Sequence, residues 1–248
     1  MFFYIVVIIL GWLIGILVNY LADVLPIKRS LSKPLCDNCD TLFPLQNYLS
    51  WRRRCTGCGK KRSFRTWFVE LFFVMISILM WIFPPDKLGF YPGLILLGYF
   101  AVIAIIDIEH RIILHPVSLF GILICGGIGI WLHGIVRTLL GGLTGFGLMM
   151  LLYYLGILVV RIRAKTRIDL TEREALGFGD VNLAGLVGLI LGWPAILVGL
   201  ILTILSAGLV SFLYVLLMLA KHRYNANLAI PYGPFLILGA VFLLYFNL

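Results

Sequence analysis

Two acidic residues stand where acids are expensive. Asp107 closes the apolar run YFAVIAII, and Asp180 follows Gly177-Phe178-Gly179 at the head of another apolar stretch. An ionisable group in hydrocarbon costs on the order of 3 kcal/mol or more, so each is a functional candidate by default. If the two meet, like charges a few ångströms apart cannot both ionise easily, and they share a proton. One carboxylate then acts as general base on a water while the other, protonated, polarises a carbonyl. Gly177 and Gly179 remove side chains beside Asp180, which lets a polypeptide backbone or a second helix lie close and permits a bend. Two other readings are open at this level: a proton relay, and Asp180 as a plain helix N-cap.

The second constellation is CDNC at 36–39 and CTGC at 55–58. Two C-x-x-C pairs, Cys36 with Cys39 and Cys55 with Cys58, fit a closed four-thiolate zinc site, each pair giving two sulfurs from one tight turn. Gly57 and Gly59 supply the turn freedom. Redox dithiols are the alternative. Cys125 stands alone in an apolar run and reads as a small buried apolar residue.

The remaining polar residues near apolar runs are weaker candidates. Glu109, Glu174, His110 and His115 read as interfacial. Asp23 is expected to pair with Lys28 or Arg29. Glu70 lies one turn inside an apolar stretch, next to the cysteine segment, which suggests a role there. The basic clusters WRRRC and KKR read as a lipid-facing surface.

These residues need elements to hold them. The chain is 62% hydrophobic and 12% charged, about half the charge of a soluble domain, with a mean hydropathy of +1.06. Lipid is the solvent that such a surface requires. The fold class is an all-α polytopic membrane protein of about eight transmembrane helices with a small cytosolic zinc-binding segment. Spans are expected near 2–22, 67–83, 93–109, 114–132, 137–160, 178–193, 195–219 and 230–247. The division is residues 1–22 as a first helix that is retained rather than cleaved, 23–66 as the cytosolic segment, and 67–248 as a helical domain. A segment of the length of 23–66 can hardly bury a core, so metal would supply much of its folding energy.

Orientation follows from the basic residues. With the N-terminus outside, eighteen of the 20 Lys and Arg fall in segments facing the cytosol, and only Lys87 and Arg137 lie outside. This ordering sets Asp107 and Asp180 at one depth on the cytosolic side. It also accounts for the net charge of +9 by attraction to anionic membrane lipids, without a nucleic-acid partner.

In this order, the features strongly resemble the prepilin peptidases, or type IV leader peptidases, of the Gly-x-Gly-Asp membrane aspartyl protease class. The resemblance spans roughly residues 11–240. It is carried by Gly11, Gly15, Asn19 and Leu25-Pro26; by the cysteine pairs with Pro44, Leu49-Ser50, Arg65 and Glu70; by Ile106-Asp107; by Gly177-Phe178-Gly179-Asp180 with Glu174 before it; and by Ile230-Pro231-Tyr232-Gly233-Pro234-Phe235. It implies a bacterial inner-membrane enzyme that removes the basic leader of type IV prepilins or type II secretion pseudopilins at the cytosolic face, with Asp107 and Asp180 as the catalytic pair. It further implies N-methylation of the new N-terminus from S-adenosylmethionine, for which Glu70 and Asn19 are the candidate binding residues. No glycine-rich dinucleotide-type fingerprint marks a pocket for that donor.

The chain departs from the family pattern at Ile16, where Ser is frequent; at Leu114-His115-Pro116, in place of Leu/Ile-Pro-Asp; and at Asn182, where Lys is frequent. The last change removes a positive charge close to Asp180. Two rival functions are a proton-coupled transporter using Asp107 and Asp180 as relay groups, and a non-catalytic zinc-bearing scaffold. Transporter sites usually lie at the membrane midplane rather than at one face.

Overall fold

The computed structural model describes residues 2–36, 39, 41–43, 54–59, 61–164, 177–220 and 231–246. Among these it is helical, with no strand beyond two isolated bridges. The seven helices are α1 (Phe2–Lys28), α2 (Phe64–Ile82), α3 (Phe90–His110), α4 (His115–Ala164), α5 (Phe178–Leu191), α6 (Ala195–Ala220) and α7 (Gly233–Tyr245). Two compact units divide the chain, Met1–Ile106 and Asp107–Leu248, so the last turn of α3 belongs to the second.

In the first unit, α1 and α2 pair closely. The spacing Gly11-x-x-x-Gly15 clears one stripe of α1, and small residues at that interval let helix backbones approach. A Cβ on Gly15 would lie 2.8 Å from the Glu70 Cα, and one on Gly11 would lie 2.5 Å from the Phe73 carbonyl oxygen. The facing stripe of α2 is Thr66, Glu70, Phe73 and Ser77, all buried. Ser77 donates to the Val7 carbonyl at 3.2 Å. The start of α2 is capped by Ser63, whose hydroxyl accepts the Arg65 N–H.

In the second unit, α5 is the central helix. It is apolar on nearly every side, buried along most of its length, and packed by α4, α6 and α7; a helix apolar all round belongs in a core. The α4–α5 crossing is close enough that a Cβ on Gly188 would lie 2.7 Å from the Gly141 carbonyl carbon. The 50-residue α4 is broken at Gly134, whose φ of 79° and ψ of 166° leave the helical region. That conformation is open to glycine and strained for other residues. The His133 ring beside the break bonds the Ile190 carbonyl at 3.0 Å, which ties the bend to the end of α5.

Five helices are long and apolar enough to cross a membrane: α1, α2, α3, α4 and α6. The two arms of α4 stand where the spans at 114–132 and 137–160 were expected. The expected spans at 178–193 and 230–247 are shorter than that: α5 has 14 residues and α7 has 13. At 1.5 Å per residue these reach about 20 Å, short of the ~30 Å hydrocarbon core. Gly192, at φ 69°, stops α5.

Candidate active site and metal centre

Asp107 lies in the last turn of α3 and Asp180 in the first turn of α5, and both are buried. Both belong to the second unit, and the Asp107 carboxylate is within electrostatic reach of Asp180. Arg111, one turn beyond Asp107, also acts on Asp107. The start of α7 completes the surroundings. The Gly233 N–H donates to Asp107 Oδ2 at 3.1 Å, and the N-terminus of a helix favours an anion there. A Cβ on Gly233 would lie 2.5 Å from Asp107 Oδ2 and 3.4 Å from Leu183, one turn after Asp180. The charge of Asp180 also reaches the Tyr232 phenol, which puts Tyr232 in the same neighbourhood.

The glycines around Asp180 differ in what they do. Gly179 has no room for a side chain, since a Cβ would lie 2.8 Å from the Ile113 Cβ. Its absence lets α5 lie against the segment that follows Asp107. Gly177 is the N-cap residue, with φ −74° and ψ 140° and no side-chain cap bond. A Cβ there would lie an ordinary 3.5 Å from Asp180 Oδ2. Asp180 is therefore not the N-cap residue: it sits third in the helix, its own N–H bonds the Gly177 carbonyl at 3.1 Å, and its carboxyl reaches back to the Gly177 backbone N–H. Glu174 lies outside the described residues. Glu109, His110 and His115 are exposed.

The four cysteines of the first unit converge. Cys36, Cys39, Cys55 and Cys58 have Sγ atoms within 4.8 Å of one another and could hold a metal ion. The Cys36–Cys58 and Cys39–Cys55 sulfurs are 3.6 and 3.5 Å apart. A tetrahedral zinc site with Zn–S near 2.3 Å has edges of about 3.8 Å, so the donor set fits zinc in type and spacing. Each pair sits in a turn closed by a bridge, Leu35 with Leu42 and Arg54 with Lys61. The Gly57 N–H donates to Cys55 Sγ at 3.3 Å. The Thr41 hydroxyl, 3.3 Å from Cys55 Sγ, is the first cause that lowers the Cys55 thiol to about 6; the Cys58 and Gly57 amides add to it. Thr41 also lowers Cys39. Phe43 and, from α1, Tyr20 pack against the cluster.

Asn19 and Glu70 lie in the α1–α2 interface. The Asn19 amide donates to the Thr66 carbonyl at 3.1 Å, while its buried Oδ1 has no hydrogen-bond partner among the described residues. Glu70 accepts the Trp12 indole N–H at 3.2 Å. Asp23 was expected to pair with Lys28 or Arg29. Its two oxygens take Arg62 and Arg65, which fastens the end of α1 to the chain entering α2. Sequence reasoning gave no role to the Tyr232-Gly233 pair, although the stretch that holds it was visible as a motif.

The chain matches two family models, the type IV leader peptidase family over residues 94–215 and the bacterial Peptidase A24 N-terminal domain over residues 9–83. Among curated relatives it is similar to the prepilin leader peptidase/N-methyltransferase of Myxococcus xanthus (strain DK1622), at 28% identity over 84% of this chain and 62% of the relative. The protein of the same name from Aeromonas hydrophila is 27% identical over 89% of this chain and 74% of the relative. That from Stutzerimonas stutzeri is 29% identical over 85% and 71%. The matched region thus covers less than two thirds of the Myxococcus protein. No solved structure matches the chain.

Proposed function

We propose that the chain, which matches the type IV leader peptidase family over residues 94–215 and the bacterial Peptidase A24 N-terminal domain over residues 9–83, is a membrane aspartic endopeptidase that removes the leader of prepilins or pseudopilins. The observation that carries this reading is the burial of Asp107 and Asp180 within electrostatic reach of each other. Two such carboxylates share one proton. The ionised member takes a proton from water, whose oxygen attacks the scissile carbonyl carbon, while the protonated member donates to the carbonyl oxygen. Collapse of the tetrahedral intermediate breaks the C–N bond, and the departing amine takes up a proton. Gly233 holds Asp107 in orientation through its N–H. Gly177 and Gly179 support Asp180, Gly177 as the N-cap of its helix and Gly179 by the close approach of Ile113.

The reaction is placed at the cytosolic face of a bacterial inner membrane, with the N-terminus outside, on the distribution of basic residues. Zinc held by Cys36, Cys39, Cys55 and Cys58 is structural, because four thiolates leave no open position. A methyl-transfer activity that follows cleavage is part of the same reading. S-adenosylmethionine supplies the methyl group when bound. Asn19, whose Oδ1 has no hydrogen-bond partner among the described residues, and Glu70 would be the residues that hold it. The family matches leave the transporter alternative without support.

The test is incubation of the purified protein in lipid vesicles with a synthetic prepilin and labelled S-adenosylmethionine, following cleavage and label transfer separately. Leader release is expected. Solute flux without any cleavage would overturn the reading.

A further inference from the structure

The stretch Pro231-Tyr232-Gly233-Pro234 leads into α7, and the cleavage chemistry above uses only the Gly233 N–H from it. Its backbone is held firmly. Proline fixes φ near −65°, and one stands on each side of the Tyr232-Gly233 pair. Tyr232 is the N-cap residue of α7, and its carbonyl accepts the N–H groups of Phe235 and Leu236 at 3.1 and 3.4 Å. Its side chain is thus carried on a fixed base, one peptide bond from the N–H that touches Asp107 Oδ2.

That side chain lies in the field of the other acid, Asp180, and Tyr232 is half-buried. Among the described residues its phenol forms no hydrogen bond, to either acid or to any other group. Each acid already has a backbone donor, Gly233 for Asp107 and Gly177 for Asp180. A hydroxyl withdrawn from bulk water without a partner costs free energy. A firmly based phenol close to two acids and bonded to neither is free to serve a group that joins them.

The chemistry suits a neutral donor. An Arg or Lys between the two acids would hold both carboxylates ionised and abolish the shared proton. A phenol keeps its proton at neutral pH and donates without neutralising either acid. A peptide carbonyl oxygen has two lone pairs; the protonated aspartate takes one and leaves the other open. As water adds to the carbon, negative charge gathers on that oxygen, and a donor placed there bonds more strongly in the transition state.

We propose that Tyr232 is a third catalytic residue, whose phenol O–H donates to the scissile carbonyl oxygen as negative charge builds on it. This rests on the peptidase reading above. No bond is added to the reaction: the phenol keeps its proton throughout, and the protonated aspartate supplies the one that the carbonyl oxygen gains.

Tyr232→Phe keeps the ring and removes the hydroxyl. The variant and the unmodified protein, each in lipid nanodiscs, are assayed on a synthetic prepilin and titrated with a pair of peptide inhibitors. One inhibitor carries a tetrahedral hydroxyl-bearing carbon in place of the scissile carbonyl, and the other carries a methylene there. In Tyr232→Phe, kcat falls roughly 100-fold, the loss typical of one oxyanion donor, with KM unchanged. The hydroxyl inhibitor binds at least about tenfold more weakly, while the methylene inhibitor binds as it does to the unmodified protein. A packing role alone would weaken both inhibitors alike and lower the melting temperature. Native kcat in Tyr232→Phe, or an equal effect on the two inhibitors, overturns the assignment and leaves the peptidase standing. Failure of the unmodified protein to cut the prepilin overturns both.

Discussion

The backbone N–H of Gly233 donates to Oδ2 of Asp107 at 3.1 Å, joining positions 126 residues apart. The start of α7 thereby fixes a carboxylate at the end of α3. The same dipeptide brings the Tyr232 phenol under the influence of Asp180. The site therefore has three contributors: two acids, and a helix N-terminus that orients one of them.

Gly233→Ala tests that orientation. The added methyl would lie 2.5 Å from Asp107 Oδ2, so the carboxylate must move. Displacement of a catalytic group by about 1 Å can cost on the order of a hundredfold. Cleavage is expected to fall roughly 10- to 100-fold in kcat, with the melting temperature little changed. Native kcat in this variant would mean that the hydrogen bond does not position Asp107 for catalysis.

Cys36→Ser removes one of four converging thiolates. Bound zinc, measured by elemental analysis, is expected to drop from about one equivalent to a small fraction of that, since a structural site depends on its full ligand set. The segment that carries the cysteines should become protease-sensitive before peptidase activity is lost. Unchanged zinc content would remove the metal assignment.

The Cys55 thiol, lowered from 9.0 to about 6 with Thr41 as the leading cause, sets a pH dependence for the metal-free protein. A depressed value favours the folded turn while the thiolate is present. That contribution is complete above about 9, shrinks as pH falls through the interval, and is gone below about 6. Alkylation of Cys55, followed by mass spectrometry, should accordingly show its midpoint near 6, and Thr41→Val should move it up towards 9. A midpoint near 9 in the unmodified protein would contradict the geometry of the turn.

Asp23→Asn separates packing from chemistry. Asp23 holds Arg62 and Arg65, and the substitution removes the carboxylate from both pairs. Thermal unfolding should show a loss of about 1–3 kcal/mol in the first unit. Retention of full stability would show that solvent or lipid headgroups replace the carboxylate.

The acids and thiols proposed for the site were legible in the sequence because their types are costly or rare in their settings. A lone Asp in an apolar run and a doubled C-x-x-C stand out without any knowledge of the fold. The break at Gly134 was also visible, as the gap between the spans at 114–132 and 137–160. The lengths of α5 and α7 were not. Apolar residues flank both helices, so hydropathy runs past the points where Gly192 and the Tyr232-Gly233 junction end the hydrogen-bonded ladder. Long-range pairings were equally hidden. The nearest cations to Asp23 along the chain are Lys28 and Arg29, but the α1–α2 pairing delivers Arg62 and Arg65 instead. Gly233 carries no side chain to advertise a role, and its contribution is an N–H that only the fold aims at Asp107.

The most direct test is the proteolytic activity of Asp107→Asn and of Asp180→Asn, each purified in lipid and assayed on the same synthetic prepilin. Both side chains keep their size and lose the ability to share a proton. Each variant is predicted to lose cleavage by roughly a thousandfold or more, while helix content and bound metal stay at the native level. Cleavage at the native rate by either variant would contradict the account.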